Sequence, residues 1–396
     1  MTINVTLKAS GIDSGPFSIY QDSDNFATAL ATGVTTNLLT IGFEVDANIN
    51  TKFVKVFSES SCNAVAMVSA KFADTTPSVV SSTVATIPNG NIAKYATTAT
   101  DNKDGIIVSD GGNIFVSVDT GDTFVNNAEM TSIDARCVTY NSVSSKFFVI
   151  GSINNEWWEV TISGATVTVT PQTASLPGSQ RGSAFFHNGV LYIKDLLGVY
   201  RSEDLITFVK VANFDFTPTS SQYTQAKSFA GYAKTVLCAD NRNGLYRSTD
   251  NGLNWSRLTI RPNPIEVQID QDGRVFLLSS DAGFGTQLLY SDDLASTWSV
   301  YDGSTNLQQP FEMNKYGRLW FLTKDPGNGS RSLAYKIDVV SSSTETLLPD
   351  TNLATQPASS YTDFSKYSIF SCKDRTFLMG QSGSNTLIIK NIIAYT

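Results

Sequence analysis

Four aspartates that recur along the chain are the first candidates for chemistry, because carboxylates bind divalent cations and act as acids or bases. Each stands two positions after a serine, in the pairs Ser117 and Asp119, Ser202 and Asp204, Ser248 and Asp250, and Ser291 and Asp293. Neighbouring pairs are separated by about 45 residues or by twice that, as the copies of a repeated unit are. Residues placed once per repeat do not converge on one ion, so we predict that these aspartates stabilise turns and bind no metal.

Each pair belongs to a longer pattern, in which aliphatic or aromatic residues precede Ser-x-Asp and a short polar segment leads to Trp or Phe. Ser and Asp side chains can bond nearby backbone groups and hold a tight turn. The closing aromatic ring can be buried between adjacent sheets. The pattern therefore predicts a strand, a turn and a strand.

The pattern resembles the Asp-box, also called the bacterial neuraminidase repeat, which occurs in β-propellers. The residues that carry the resemblance are Ser117, Asp119, Gly121, Thr123 and Phe124; Ser202, Asp204, Thr207 and Phe208, with one residue deleted; Ser248, Asp250, Gly252, Asn254 and Trp255; and Ser291, Asp293, Thr297 and Trp298, without the glycine. The resemblance implies a structural role for these residues in a repeated β-sheet unit.

The segment before each box repeats as well, and its copies set the number of units. Apolar-rich runs occur at 104–109, 146–151, 189–194, 235–240, 273–279, 317–323 and 375–380. Another short strand precedes most of these runs, which gives four strands in about 45 residues. We therefore predict an all-β fold with a seven-bladed β-propeller over residues 76–396, six or eight blades being the alternatives. The last unit has little room for a fourth strand, so residues 78–87 are predicted to close the ring as its outer strand.

Residues 1–75 do not fit this repeat. They contain alternating segments such as INVTL and KFVKVF between turn residues, which predicts a small β-sandwich. The order of the segments SGPFSIYQDSDNFAT, TNLLTIGFEV and KFVKVFSESSCNAVAMV resembles short N-terminal modules on structural proteins of tailed bacteriophages, including crAss-like phages of the Bacteroidota. That resemblance implies that residues 1–75 anchor the protein to other virion structural proteins.

Sialidases also contain Asp-boxes, so an enzyme is the main alternative. A sialidase-like site needs three arginines that converge on a carboxylate, since each guanidinium can donate two hydrogen bonds to it. The arginines on predicted inner strands are Arg136 and Arg181, which leaves such a site one short. Arg201 and Arg247 precede box serines and are predicted to lie on the solvated surface.

Other groups that could do chemistry are few. Glu266 and Glu312 lie on predicted inner strands and could face the channel as a pair of carboxylates. His187 is the single histidine, which argues against a Ser-His or Zn-His site. The cysteines match no metal-ligand spacing and are predicted to be free thiols; they are Cys62, Cys137, Cys238 and Cys372. We predict no catalytic residue, no cofactor and no metal.

The bulk properties limit the partners. The chain has 396 residues and a net charge of −8, which argues against nucleic acid or an anionic membrane as a partner. Its apolar stretches are too short to cross a bilayer, so we predict no membrane insertion. The first residues lack the pattern of a signal peptide, which suggests synthesis in a host cytoplasm and release by another route.

These observations favour a non-enzymatic bacteriophage virion protein, associated with the tail, the collar or a fibre. Its propeller would dock another protein or bind a glycan or receptor on the host surface. A sialidase-like glycan-degrading propeller is one alternative, and a cellular propeller scaffold or adhesin is the other.

Overall fold

The structure is a computed structural model of the chain. The residues described are 2–5, 16–21, 26–35, 39, 43–46, 53–58, 65–69, 78–88, 97–101, 103–109, 113–130, 135–151, 155–178, 181–214, 228–240, 243–259, 263–270, 273–281, 285–300, 307–313, 319–324, 331–336, 346–348, 368–372, 375–382 and 386–394. The chain divides into two compact units, Met1–Thr76 (unit 1) and Pro77–Thr396 (unit 2).

Unit 1 contains six described strands in two antiparallel sheets. The strands are β1 (Thr2–Val5), β2 (Phe17–Gln21), β3 (Ala29–Val34), β4 (Phe43–Asp46), β5 (Phe53–Ser58) and β6 (Val65–Ser69). β1 pairs with β4, and the other four form a sheet in the order β3-β2-β5-β6. Apolar residues of both sheets, among them Val5, Ile19, Val45 and Val54, share one buried cluster. The strands follow the alternation in the sequence, while the sandwich arrangement stays a prediction.

The described strands of unit 2 form seven four-stranded antiparallel sheets. In sheets 1 to 6 the strands follow each other in chain order. They are β8 (Thr97–Thr100), β9 (Ile106–Ser109), β10 (Ile114–Ser117) and β11 (Val125–Asn126) in sheet 1; β12 (Ala135–Asn141), β13 (Lys146–Gly151), β14 (Trp157–Ser163) and β15 (Thr166–Pro171) in sheet 2; β16 (Ser183–His187), β17 (Val190–Lys194), β18 (Gly198–Ser202) and β19 (Val209–Asn213) in sheet 3; β20 (Phe229–Tyr232), β21 (Thr235–Asp240), β22 (Gly244–Ser248) and β23 (Ser256–Leu258) in sheet 4; β24 (Pro264–Ile269), β25 (Val275–Asp281), β26 (Gly285–Ser291) and β27 (Ser299–Val300) in sheet 5; and β28 (Leu307–Met313), β29 (Leu319–Lys324), β30 (Arg331–Lys336) and β31 (Thr346–Leu348) in sheet 6. A single 3-10 turn, Ala128–Met130, also lies among the described residues.

Sheet 7 is assembled from two distant parts of unit 2. Its first three strands are β32 (Ser368–Cys372), β33 (Arg375–Ser382) and β34 (Thr386–Ala394), and its fourth is β7 (Ser78–Pro88). β7 runs antiparallel to β34, with Thr386 opposite Pro88 and Ala394 opposite Ser78. Pairing a strand from the beginning of the unit with one from its end removes two open sheet edges at once.

The sheets form a closed ring through their first strands. Each first strand contacts the first strand of the next sheet, from β8 to β32, and β32 in turn contacts β8. Side chains between neighbouring sheets make the core, as Phe148 of sheet 2 and Phe186 of sheet 3 do, with ring centroids 4.8 Å apart. A cluster that contains Ile106 of sheet 1 and Phe377 of sheet 7 completes the ring. The all-β fold that the sequence predicts is confirmed.

Burial changes with position in a sheet. The second strand β17 has all five of its residues buried, because neighbouring sheets cover both of its faces. The fourth strand β15 alternates between exposed and half-buried residues over most of its length, because one of its faces is solvated. Apolar runs in the sequence therefore mark second strands more clearly than fourth strands.

Candidate functional site

The turn that joins the third and fourth strands of sheet 1 is held by the side chains of Ser117 and Asp119. Ser117 Oγ donates to Asp119 Oδ1 at 2.7 Å and accepts from the backbone N–H of Gly121 at 2.8 Å. Asp119 also accepts from the backbone N–H of Thr123 at 2.9 Å and from its hydroxyl at 2.6 Å. These bonds fix the turn without help from a ligand.

The turn of sheet 4 has the same bonds. Ser248 Oγ donates to Asp250 Oδ1 at 2.7 Å and accepts from Gly252 N at 2.9 Å. Asn254 replaces the threonine, and its side-chain amide donates to Asp250 Oδ2 at 2.7 Å. Either residue type can therefore hold the second carboxylate oxygen.

Sheets 5 and 3 show two variations of this turn. In sheet 5, Ala295 stands at the glycine position, and its N–H donates to Ser291 Oγ at 2.8 Å. In sheet 3 the turn is one residue shorter, and the N–H of Leu205 donates to Ser202 Oγ at 3.0 Å. Asp204 still accepts from two backbone N–H groups, those of Ile206 and Thr207, at 2.9 and 2.7 Å.

Hydrogen bonds keep the four turn carboxylates ionised. Backbone and side-chain donors lower the pKa of Asp204 and of Asp250 to about 2. The N–H and hydroxyl of Thr297 likewise lower the pKa of Asp293. Partial burial raises the pKa of Asp119, but the bonds from Thr123 and Ser117 outweigh it, and the pKa is lowered. None of the four carboxylates forms a salt bridge with a described residue.

The aromatic residue that follows each turn packs towards the preceding sheet. Phe124 packs on the cluster between sheets 7 and 1, and Phe208 on that between sheets 2 and 3. Trp255 and Trp298 pack on the clusters between sheets 3 and 4 and between sheets 4 and 5. The turns therefore help to join neighbouring sheets, in addition to connecting strands within one sheet.

In the turns of sheets 1, 4 and 5, which lack the deletion seen in sheet 3, a backbone carbonyl accepts a hydrogen bond from the preceding sheet. Asn251, at φ 59°, accepts from Tyr192 Oη at 2.7 Å and from Arg201 Nε at 3.0 Å. Leu294, at φ 54°, accepts from Arg247 Nη1 at 3.0 Å. Thr120 accepts from Arg375 Nη1 at 3.4 Å, across the junction of sheets 7 and 1.

The prediction that Arg201 and Arg247 lie on the solvated surface is wrong. Both side chains cross to the next sheet, and that of Arg201 is only 12% exposed. The sequence could not show this, because the acceptors are main-chain oxygens about 50 residues further along the chain.

The residue at the glycine position of each turn is smaller where the side chain that faces it from the preceding sheet is larger. A β-carbon on Gly252 would lie 2.2 Å from the ring of Tyr192, and one on Gly121 would lie 2.6 Å from that of Phe377. In sheet 4 the strand position of Tyr192 is held by Leu237, since Tyr192 pairs with Arg201 and Leu237 with Arg247. Leu237 shares a cluster with Ala295, so a smaller facing side chain accompanies alanine in place of glycine.

Of the two arginines considered for a sialidase-like site, Arg181 is bonded to the protein backbone. Arg181 is completely buried, and its guanidinium donates to the carbonyls of Gly151, Pro177 and Gly178 at 2.8 to 2.9 Å. It precedes β16 and does not lie on that strand. Arg136 lies on β12, but its side chain is outside the described residues. The buried guanidinium is therefore committed to the protein backbone.

The two candidate glutamates meet different partners at the junction of sheets 5 and 6. Glu266 is buried and accepts from the backbone N–H of Phe311 at 3.3 Å. Glu312 is half-buried and lies 3.4 Å from Nε2 of Gln268. Gln268 also donates to the carbonyl of Phe311. Both carboxylates thus take part in contacts between the sheets.

A buried ion pair between sheets 3 and 4 gives no signal in the sequence. Lys194 Nζ lies 3.1 Å from Asp240 Oδ2 and also donates to Ser228 Oγ and to the carbonyl of Ala239. Burial raises the pKa of Asp240, but Lys194 and the N–H groups of Asn243 outweigh it, and the pKa is lowered. Asp240 Oδ1 also accepts from the backbone N–H of Asn243 at 2.9 Å.

The described residues contain no metal centre. No three His, Cys, Asp or Glu side chains in this part of the chain lie close enough together to hold an ion. Cys137, Cys238 and Cys372 are buried free thiols, and burial raises the pKa of Cys238 to about 12. Cys62 lies outside the described residues. In the same part of the chain, no helix has the length and apolar character needed to span a membrane.

Comparison with known proteins identifies the fold. No protein-family model matches the chain, and no curated protein matches it in sequence. YCF48 bound to D1 peptide is similar in structure, with a TM-score of 0.54 and 13% identity over 78% of this chain and 94% of that one. Virginiamycin B lyase from Staphylococcus aureus is similar as well, with a TM-score of 0.53 and 11% identity over 78% of this chain and 98% of that one.

A third similar structure is the GH74 xyloglucanase from Xanthomonas campestris, with a TM-score of 0.51 and 12% identity. The likeness covers 80% of this chain and 53% of the xyloglucanase. Together with the ring of four-stranded sheets, these likenesses show that the chain contains a β-propeller, as the sequence predicts. At such low identity they show the fold alone.

Proposed function

We propose that this chain is a non-enzymatic β-propeller that docks another protein. The observation that carries the proposal is the use of its ionisable side chains. Arg181 bonds three backbone carbonyls, and Arg201 and Arg247 bond the turns of the next sheets. Guanidinium groups that bond the backbone in this way stabilise the propeller, and they are not available to stabilise a reacting substrate.

The likeness to YCF48 adds support of a general kind, since the YCF48 structure contains a bound D1 peptide. A propeller offers two broad ends made of turns, and turns tolerate the sequence changes that adapt a surface to a partner. Exposed positions in these turns, such as Ile206 and Leu253, can vary without disturbing the core, because the core lies between the sheets.

The finer proposal is that the protein is a component of a bacteriophage virion. Residues 1–75 would anchor it to another structural protein, and the propeller would contact a further protein or a glycan or receptor of the host. The support is the resemblance of the N-terminal segment order to tailed-phage modules, together with the two compact units at Met1–Thr76 and Pro77–Thr396.

Photo-cross-linking with the full chain tests the docking function. The protein is expressed with p-benzoylphenylalanine at single turn positions, irradiated in the producing culture, and its adducts are identified by mass spectrometry. A specific protein adduct at one or more propeller turns is expected. Turnover of a fluorogenic sialoside panel without any protein adduct would replace the proposal with the sialidase-like alternative.

Gradient fractionation tests the virion assignment separately. In a lysed culture that produces the protein, it should co-sediment with particles, and a chain lacking residues 1–75 should remain in the soluble fractions. Co-sedimentation of both chains would contradict the anchoring role of residues 1–75. A full chain that is never associated with particles would contradict the virion assignment and would favour a cellular scaffold or adhesin.

A further inference from the structure

Large aliphatic side chains are exposed on one edge of the propeller. Val143 is 73% exposed, Ile206 is 72% exposed and Leu253 is 58% exposed. They lie in the turn between the first two strands of sheet 2 and in the turns between the last two strands of sheets 3 and 4. In an antiparallel sheet whose strands follow chain order, both kinds of turn lie at the same edge. We call these three residues and the turns that carry them the turn face.

Contacts between neighbouring sheets show that the turn face is continuous. A β-carbon built on Gly189, in the first turn of sheet 3, would lie 3.7 Å from Val143 Cγ2 of sheet 2. Asn188 donates to Asn251 Oδ1 at 3.3 Å, two residues before Leu253 in sheet 4. The turns of sheets 2, 3 and 4 therefore lie next to one another.

A second contact links the turns that carry Ile206 and Leu253. Arg201 bonds the carbonyl of Asn251 in sheet 4 and forms an ion pair with Glu203, three residues before Ile206. Exposed aliphatic side chains in adjacent turns make a surface that gains free energy when a partner covers it.

The charge on this edge determines which partner fits. Asp204 and Asp250 stay ionised, because hydrogen bonds lower the pKa of each to about 2, and neither forms a salt bridge with a described residue. Asp293 continues the series in sheet 5. Against these three carboxylates, the described residues at the same edge of sheets 3 to 5 supply two cations without a carboxylate partner. They are Lys234, in a turn of sheet 4, and Arg247, whose guanidinium bonds Leu294 O and Ser296 Oγ in the turn of Asp293. The negative charge that remains favours a basic partner.

We propose that the turn face binds a basic peptide segment of another protein, one that contains aliphatic side chains between its lysines or arginines. The aliphatic side chains cover Val143, Ile206 and Leu253, while the basic groups lie near Asp204, Asp250 and Asp293. The proposal rests on the docking function described above and assigns it a surface and a ligand chemistry.

Fluorescence anisotropy with synthetic peptides tests the chemistry. Three labelled peptides of equal length are compared, one of Lys, Leu and Gly, one with Glu in place of Lys, and one with Ser in place of Leu. The Lys–Leu peptide is expected to bind best and to lose affinity as salt rises, because charges at an exposed surface are screened. Equal binding of the Glu peptide, or no binding of the Lys–Leu peptide, would overturn the proposal.

A pair of double variants tests the location. Ile206→Ser with Leu253→Ser should weaken binding of the Lys–Leu peptide by about tenfold or more, since two aliphatic contacts are lost. Val209→Ser with Val300→Ser is the matched control, because these valines are 57% and 52% exposed on fourth strands and not in the turns. An equal loss in both double variants would remove the turn face as the site.

Cross-linking separates this proposal from the docking function itself. p-Benzoylphenylalanine is placed at Ile206, on the turn face, or at Leu197, which is 43% exposed in the turn between the second and third strands of sheet 3. A basic partner segment cross-linked at position 206 and not at 197 is the expected result. A partner cross-linked only at 197 would leave docking intact and overturn the turn face, and adducts at neither would count against both.

Discussion

Replacement of Gly252 by alanine tests whether the turns join neighbouring sheets by close packing. Gly252 has a φ of +77°, and a β-carbon there would lie 2.2 Å from Cε1 of Tyr192 and 2.8 Å from its hydroxyl oxygen. The ring of Tyr192 is fully buried, and its hydroxyl donates to Asn251 O at 2.7 Å. Trp255 packs edge-on against this ring, with the two ring centroids 6.2 Å apart. The tyrosine therefore has little room to move away.

Two costs add in the Gly252→Ala variant. A left-handed backbone costs an alanine about 1 kcal/mol, and overpacking of a filled site costs about 1–3 kcal/mol. The free energy of unfolding should fall by about 2–4 kcal/mol. Gly164→Ala is the matched control, since Gly164 lies in the corresponding turn of sheet 2, at φ +57°, with nothing within 4 Å of a β-carbon. It should lose only about 1 kcal/mol.

A double-mutant cycle isolates the contact. Tyr192→Leu combined with Gly252→Ala recreates the pair that Leu237 and Ala295 form naturally. The combination should be less destabilised than the sum of the single variants, by about 1 kcal/mol or more. Guanidinium unfolding followed by tryptophan fluorescence measures the four proteins of the cycle and the Gly164→Ala control. Equal losses for the two glycine variants, or strict additivity in the cycle, would refute close packing as the link.

Three further predictions concern charge. Lys194→Met should lower the free energy of unfolding by about 3–5 kcal/mol, because it leaves Asp240 buried without its cation. Adding Asp240→Asn to this variant should restore part of the lost stability, and denaturant titrations measure both effects. Burial lowers the pKa of His187, so the unfolded chain takes up a proton first as the pH falls below about 6.5. Thermal melts should therefore show stability falling from pH 7 to pH 5, and the slope should be smaller in His187→Gln. The pKa of Asp250 is lowered to about 2, so its contribution to stability is complete above about pH 4 and is lost as the pH falls towards 2. The Asp250→Asn variant should be less stable than the unsubstituted protein at pH 7, and it should lose less stability between pH 4 and pH 2. An unchanged acid-denaturation profile would contradict the role of the hydrogen bonds to Asp250.

The sheet repeat could be predicted from the sequence because it depends on local pattern. Each of the apolar runs is the second strand of a described sheet, from Ile106–Ser109 to Arg375–Ser382. Strands that are covered on both faces, as β17 is, have nearly continuous apolar residues. The sequence also predicted an outer strand at 78–87, and the structure pairs Ser78–Pro88 with Thr386–Ala394.

The polar contacts between sheets could not be predicted, because their partners lie far apart in the sequence and several of the acceptors are main-chain atoms. Arg201 was expected in solvent, yet its acceptor is the carbonyl of Asn251. Lys194 and Asp240 stand on different sheets, and nothing local indicates that they pair. The box residues predicted the turns and the burial of the closing rings between adjacent sheets. They did not predict the hydrogen bonds that the backbone of these turns accepts from the preceding sheet.

The turn face was also missed, although a weak signal exists. Ile206 and Leu253 stand in polar turns, where their large aliphatic side chains have no role in the local hydrogen bonds. Asp122 and Ser296 occupy the matching position in sheets 1 and 5. An aliphatic residue in a turn position that is polar in other copies of a repeat indicates a surface under some other constraint.

The pairing of β7 with β34 has a consequence for synthesis of the protein. β7 is among the first strands of unit 2 to be translated and β34 the last, so β7 waits unpaired while nearly the whole unit is made. At ordinary translation rates that interval lasts roughly 15 to 60 seconds. During it the backbone groups of the eleven-residue segment that becomes β7, Ser78–Pro88, lack the partner they have in the folded protein. Its serines and threonines (SVVSSTVATIP) make that strand more polar than the second strands, which lowers the risk of aggregation before its partner is translated.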